Sequence, residues 1–431
     1  MKHFLLVFLI QIPLLGFAQE EKKFGIELHG YVKTDIFYDL RQTVDLREGH
    51  FLLYPQNELL DFDGNDINAT PKFNILSIQT RFTGTISGPD AFGAKTSGLI
   101  EGEFFGNINP NINAFRLRHA FVKLTWNKAE LMIGQYWHPM FITTSFPETV
   151  SFNTGAPFQP FSRNPQIQFT KNIWNINLTG TLIEQIDFVS IGPDGASPKY
   201  LINNGFPEMN LRTEYKSDNI LLGIGGNYKS LMPRTYITPE ASDTLDEPDR
   251  VKTSERVSGL STFAYFKMKT EPLTIKLYGV LGQMMYSMTG IGGYAEKEFT
   301  YENISDSLYK RKITYCPINT LSAWVDLQTN GEEWQFGFFG GYTKNIGAFD
   351  SISVIGKYYS RGNDINYIYR ISPRVIYTNG KLRIATEVEY TVAAYATSNE
   401  LGQLNINEKG AVTDSKEIAN FRFLLGVYYL F

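Results

Sequence analysis

Apolar and polar residues alternate one for one over long stretches of this chain. In FGIELHGYVKTDIFYDL (24–40) the even positions carry Ile26, Leu28, Val32, Ile36, Tyr38 and Leu40, and the odd ones Glu27, His29, Lys33, Asp35 and Asp39. A period of two is that of a β-strand, whose successive side chains point to opposite faces. The run is longer than the ~5–6 residues of an ordinary globular strand and suits the ~9–11 of a tilted membrane strand. The pattern recurs. Leu76, Ile78, Phe82 and Ile86 oppose Ser77, Gln79, Arg81 and Thr83; Trp174, Ile176, Leu178 and Leu182 oppose Asn175, Asn177, Thr179 and Thr181; Leu382, Ile384, Val388, Tyr390 and Val392 oppose Arg383, Glu387 and Glu389. A face this charged needs water. In a wide membrane barrel it lines an aqueous lumen while the apolar face meets lipid.

Turn chemistry supplies a second, independent pattern. Short connections are predicted at 88–93, 127–128, 171–172, 217–219, 270–272, 330–332 and 379–380, the last an Asn-Gly pair that favours a tight hairpin. Longer ones fall at about 41–72, 106–113, 138–163, 188–206, 230–255, 286–312, 344–363 and 397–418. Short and long alternate, as periplasmic turns and external loops do in outer-membrane barrels. Eight long and seven short connections join sixteen strands, so the expected fold is all-β: a transmembrane antiparallel barrel of about sixteen strands, with both ends periplasmic. The segment NFRFLLGVYYLF (420–431) is then the closing strand, with Phe421, Phe423, Leu425, Val427, Tyr429 and Phe431 toward lipid. Its terminal Tyr429 and Phe431 resemble the assembly signal of such barrels.

Composition narrows the class further. Lys2, an apolar run from Phe4 to Leu15, and small residues flanking Phe17 predict a cleaved secretory signal peptide over 1–18. Residues 19–431 then form one barrel domain. Removing Lys2 takes the formal net charge from −4 to −5, and this mild acidity argues against a nucleic-acid partner. The single cysteine, Cys316, excludes an intrachain disulfide framework. Beyond residue 18 no apolar run is long enough for a membrane helix. Four histidines follow residue 18 (His29, His50, His119, His138), far apart and without metal-ligand spacing, and the GIGGN and GIGGY stretches lack the setting of a phosphate loop. Neither an enzyme, nor a metal, nor a cofactor is indicated.

The third long loop, 138–163, stands out. Its fixed charges are Glu148 and Arg163, and it holds Phe141, Phe146, Phe152, Phe158 and Phe161 with several prolines. A loop so apolar should pack on something: the expectation is the inner wall, narrowing the lumen, and the alternative is a neighbouring subunit or a lid. In FRLRHAFVKLTWN, Arg116 and Arg118 share strand parity with Ala120, Val122, Leu124 and Trp126. Arginine facing mid-bilayer lipid costs about 2–4 kcal/mol, so either the Arg pair lies above the lipid or a bulge switches the faces; lumen-facing arginines are the expectation. Arg81, Arg163, Arg212, Arg370, Arg374 and Arg383 are further candidates for the lumen. Set across the pore from Glu101, Glu103, Glu387 and Glu389, they would create a transverse field and an ion preference.

The pieces RLRHAFVKL, GQYWHPMF, RNPQIQFT, RISPRVIYTNGKLRIATEVEY and FLLGVYYLF, in that order from Arg116 to Phe431, resemble the DcaP-like porins of Gram-negative outer membranes. The resemblance implies a sixteen-stranded barrel, a homotrimer in outer-membrane lipid, and passive uptake of small solutes, often anions such as dicarboxylates. The lumen arginines of the family would correspond to Arg116, Arg118, Arg163, Arg370 and Arg374. The chain departs from the family in having few charges in its third loop and a slightly acidic balance. The expected function is a water-filled channel for small polar, preferentially anionic solutes. Two alternatives stay open: a channel for hydrophobic molecules, with the Phe-rich loop as its site, and a blocked structural or adhesion barrel.

Overall fold

The computed structural model describes residues 24–237, 250–305, 308–353 and 356–431; the expected signal peptide lies outside them. Sixteen strands form the wall: β1 (Gly25–Asp39), β2 (Lys72–Leu76 and Arg81–Ser87), β3 (Lys95–Glu103), β4 (Arg116–Trp126), β5 (Ala129–Trp137), β6 (Arg163–Ile173), β7 (Ile176–Ile183), β8 (Glu208–Lys216), β9 (Ile220–Leu231), β10 (Val257–Lys269), β11 (Leu273–Gln283), β12 (Leu308–Thr329), β13 (Trp334–Ala348), β14 (Ile365–Asn379), β15 (Leu382–Ala396) and β16 (Ser415–Leu430). Each pairs antiparallel with the next. The sheet closes where β1 meets β16, from Tyr31 opposite Leu430 to Asp39 opposite Arg422. Gly30 N–H donates to Phe431 O at 3.2 Å and Phe431 N–H returns to Gly30 O at 3.1 Å. Closure leaves no unpaired wall edge, the condition for strands to cross lipid.

The two faces of the wall are inverted relative to a soluble barrel. Leu28 is 76% exposed and Ile224 64%, and Val122, Phe336 and Phe423 also face outward. Lys33, Asp35, Asp39, Glu103, Asp326 and Glu389 are 0% exposed and point inward. An apolar belt around a charged interior is the arrangement that lipid outside and water inside would select.

Four features depart from the sequence expectation. First, β2 is broken at 77–80. Thr80 bonds back to Ser77 O through both its N–H and its hydroxyl, and Lys33 N–H donates to Thr80 Oγ1. The break shifts the phase, so Phe73 and Ile75 face out before it and Phe82 after it. Ile78, expected toward lipid, is buried in the interior with Leu76 against it. Second, the turn expected at 171–172 lies at Trp174–Asn175. Ile173 still pairs with Ile176, and Trp174 takes φ 52°. Third, the connection expected at 286–312 contains a strand, Gly292–Ser305, paired with the outer half of β12 and with Tyr358–Arg361. Fourth, the first long loop carries a hairpin, Thr43–Leu46 with Phe51–Pro55, whose second strand is wholly buried.

Candidate functional site

The third loop, 138–162, lies inside the barrel. Wall side chains hold it by its peptide groups. Lys33 Nζ donates to Val150 O at 2.9 Å, Lys267 Nζ to Thr144 O at 2.9 Å and Lys276 Nζ to Phe146 O at 3.0 Å. Arg212 donates to Pro139 O at 3.1 Å and Arg370 to Ala156 O at 2.9 Å. The Glu387 carboxylate accepts the N–H groups of Val150 and Ser151. These partners stand on β1, β8, β10, β11, β14 and β15, so the segment crosses the lumen. Its Phe141, Phe152, Phe158 and Phe161 are buried in one cluster with Phe51 and Phe105, while Phe146 packs at the margin. Trp137 stacks on Phe141 at 3.9 Å and Phe105 on Phe152 at 4.0 Å. Two glycines on β13 let side chains lie flat against the wall. A Cβ at Gly341 would meet the Phe158 ring at 2.5 Å, and one at Gly337 the Arg374 guanidinium at 2.4 Å.

A bulge stands between Glu101/His119 and Gly102/Leu117 in the β3–β4 ladder. It turns Arg118 and His119 both inward while Leu117 and Val122 stay outside. Arg116 and Arg118 thus face the interior without cost to the lipid face. They meet acids at once. Arg118 reaches Glu101 and Glu103 at 2.6 Å each, Arg116 reaches Glu103 at 3.0 Å and Asp187 at 3.3 Å, and Arg81 reaches Glu103 at 3.0 Å. Arg163 reaches Asp187 at 2.8 Å and lies 5.1 Å over the Trp137 ring. Asp187 sits in the loop between β7 and β8. Burial raises its carboxyl pKa, but the guanidinium groups of Arg163 and Arg116 outweigh this and hold it below its ordinary value of 3.8.

Elsewhere on the wall Arg370 pairs with Glu389 at 3.3 Å, Arg374 grips Asp326 with two bonds of 2.7 and 3.1 Å, and Arg422 grips Asp39 likewise at 2.9 and 2.7 Å. Glu101, Glu103 and Glu389 therefore meet arginines of neighbouring wall strands at contact, whereas Glu387 has no arginine partner among the described residues and accepts from Ser372 and the loop N–H groups. Arg383 stands apart near a short turn, bonded to Thr378 Oγ1. Tyr429 and Phe431 face outward at the same end, the Phe431 ring 5.8 Å from Phe82.

Two cavities flank the inward loop, both lined by its Thr143 and Phe146. One, of ≈ 320 Å³, adjoins Arg81, Glu101, Arg118 and Tyr428; the other, of ≈ 290 Å³, adjoins Lys216, Lys267, Lys269 and Lys276. Among the described residues no group of His, Cys, Asp or Glu side chains is placed to hold a metal ion.

No protein-family model matches the chain, and no curated protein matches it in sequence. Solved structures do. The outer membrane channel DcaP of Acinetobacter baumannii superposes with a TM-score of 0.63 at 14% identity, over 97% of this chain and 100% of that one. The chain has a DcaP-like porin fold. The anion-selective porin from Comamonas acidovorans gives 0.54 at 11% identity, over 95% and 100%. OmpT of Vibrio cholerae, in its trimer form, gives 0.53 at 10%, over 95% and 100%.

In this DcaP-like barrel both halves of the Arg81–Glu103, Arg116–Glu103, Arg118–Glu101 and Arg370–Glu389 pairs are residues expected at the lumen, whereas Arg163 and Arg374 pair with Asp187 and Asp326, which were not singled out. Asp39, Asp326 and Arg422 were legible as charged positions on the polar face of alternating strands. Asp187 carries no such signal, because it lies in a loop whose path only the fold defines. The lysines of the second cavity were equally silent, as three separate strands bring them together.

Proposed function

We propose that this protein is an outer-membrane porin: a water-filled channel for passive diffusion of small polar, preferentially anionic solutes. The observation that carries the reading is the inverted wall, apolar outside and charged inside, crossed by a loop held across the lumen. Such a channel lowers the barrier by offering water and fixed dipoles where lipid offers neither. In this reading the signal peptide is removed on export, the chain inserts in the outer membrane, and the functional unit is a homotrimer. The inward loop is the constriction, with Phe141, Phe146, Glu148, Phe152 and Phe158 as its structural residues. A greasy site for hydrophobic solutes has less support, because Phe141, Phe152 and Phe161 are packed in the loop's own core even where they line the ≈ 320 Å³ cavity, and Arg81, Glu101 and Arg118 share that cavity with them.

The test is single-channel conductance and reversal potential of the purified, folded protein in a planar bilayer under a KCl gradient. Large steps with anion preference are expected. Large steps with cation preference would keep the porin and reject the anion reading. Absence of steps would turn the assignment to a closed barrel.

A further inference from the structure

The second cavity differs from the arginine cluster in how far its positive charges reach water. Around Glu101, Glu103 and Asp187, Arg81, Arg116, Arg118 and Arg163 each lie within 4.0 Å of a carboxylate, and Arg47 is buried beside them over the Phe105 and Phe188 rings. In the ≈ 290 Å³ cavity four lysines, Lys216, Lys267, Lys269 and Lys276, face two acids, Glu148 and Asp218. Glu148 is already bonded to Lys276 at 2.7 Å. Among the described residues, Lys216, Lys267 and Lys269 make no ion pair. Lys267 and Lys276 are direct cross-strand partners, a like-charge juxtaposition that costs stability in a sheet. Lys216 and Lys269 end their strands with exposed side chains, so both ammonium groups stay free in water on the lumen side, beside the short turns.

We propose that this lysine chamber, rather than the buried arginine cluster, sets the anion preference of the channel, and that it holds small solutes bearing one or two oxyanion groups on the short-turn side of the loop. The proposal rests on the porin reading above. Unpaired positive charge in a walled cavity raises the local concentration of anions and lowers that of cations. The loop hydroxyls of Thr143 and Thr144, which also line the cavity, supply donors to an oxyanion, and Phe146 closes one side. The effect is strongest at low salt, since screening is nearly complete beyond about 10 Å in 0.1 M electrolyte.

The experiment compares the unmodified protein with Lys216→Glu/Lys269→Glu. Neither lysine bonds to the loop, so this pair leaves the loop's attachment intact; heat-modifiable migration on gels checks that each barrel is folded. Lys128→Glu/Lys381→Glu, the same charge change at two other short turns, is the control. Reversal potentials in a dilute KCl gradient should show a several-fold fall in the anion-to-cation permeability ratio for the first pair alone. Inorganic phosphate added from the short-turn side should slow chloride current in the unmodified protein and lose that effect in the first pair. An unchanged ratio, unchanged phosphate block, or an equal change in the control overturns the chamber while leaving the porin standing. A folded unmodified protein without conductance steps removes both.

Discussion

At the scale of single residues, the interior is built from charge pairs that must stay whole. Asp326 is 0% exposed, and Arg374 reaches it by lying across β13 where Gly337 has no side chain. Removing one partner leaves a buried, uncompensated charge, at a cost of about 3–5 kcal/mol, whereas replacing both with apolar groups is often neutral. Arg374→Met should therefore destabilise the barrel by about that amount, and Asp326→Leu/Arg374→Met should recover most of it. Equilibrium unfolding in denaturant from phospholipid vesicles measures both, and a double variant no better than the single one would contradict the argument. The sequence shows that both residues are charged and on polar faces. It does not show that they meet, because the meeting depends on a glycine of the strand between them and on the register of three strands together.

At the scale of elements, the strands were legible and their interruptions were not. Period-two alternation persists through β1, β15 and β16 because the irregularities of their ladders fall on the partner strands β2 and β14, not on them. In β2 a side-chain-to-backbone turn at 77–80 resets the phase, and in β4 a bulge does the same. Such resets arise from hydrogen bonds to particular partners, which a hydropathy pattern does not encode. The long loops show the same limit. Aromatic content marked 138–163 as an inward segment, yet the hairpin 43–55 in the first loop gave no comparable signal, although Arg370 and Tyr395 bond its Leu53 and Pro55 carbonyls at 2.9 and 2.7 Å. The loop between β7 and β8 is tied to the wall through Asp187. Because its carboxyl titrates below 3.8, the tie is complete above that pH and is lost as pH falls through the lower folded value. Hydrogen exchange over 184–190, corrected for intrinsic rates, should show equal protection at about pH 7 and pH 5 and a loss only below about pH 4. Loss of protection between the first two points would show that another group holds the loop.

At the scale of the whole molecule, the sixteen-strand count, the alternation of short and long connections and the inverted faces all follow from one requirement. A closed sheet with lipid outside and water inside must alternate at every residue and turn at every span. That is why so much of the architecture could be read from the sequence, while the wiring of the lumen could not. The inversion makes a directional expectation. Ile224→Arg, on the outward face of β9, should cost about 2–4 kcal/mol near the bilayer midplane. Gln168→Arg, on the lumen face of β6, should cost a fraction of that. The comparison is again unfolding from vesicles, and equal costs would place the apolar belt in water.

The way the inward loop is fastened has a further consequence, for how such a channel can diverge. The wall grips peptide carbonyls and amides, which every residue except proline supplies in full, and proline still offers its carbonyl. The Thr144 side chain remains exposed between these grips, and Glu148, half-exposed, adds one bond to Lys276, which also holds the Phe146 carbonyl. Those positions can be rewritten without unfastening the loop, so a lineage can retune what its pore admits by single substitutions and still inherit the same barrel.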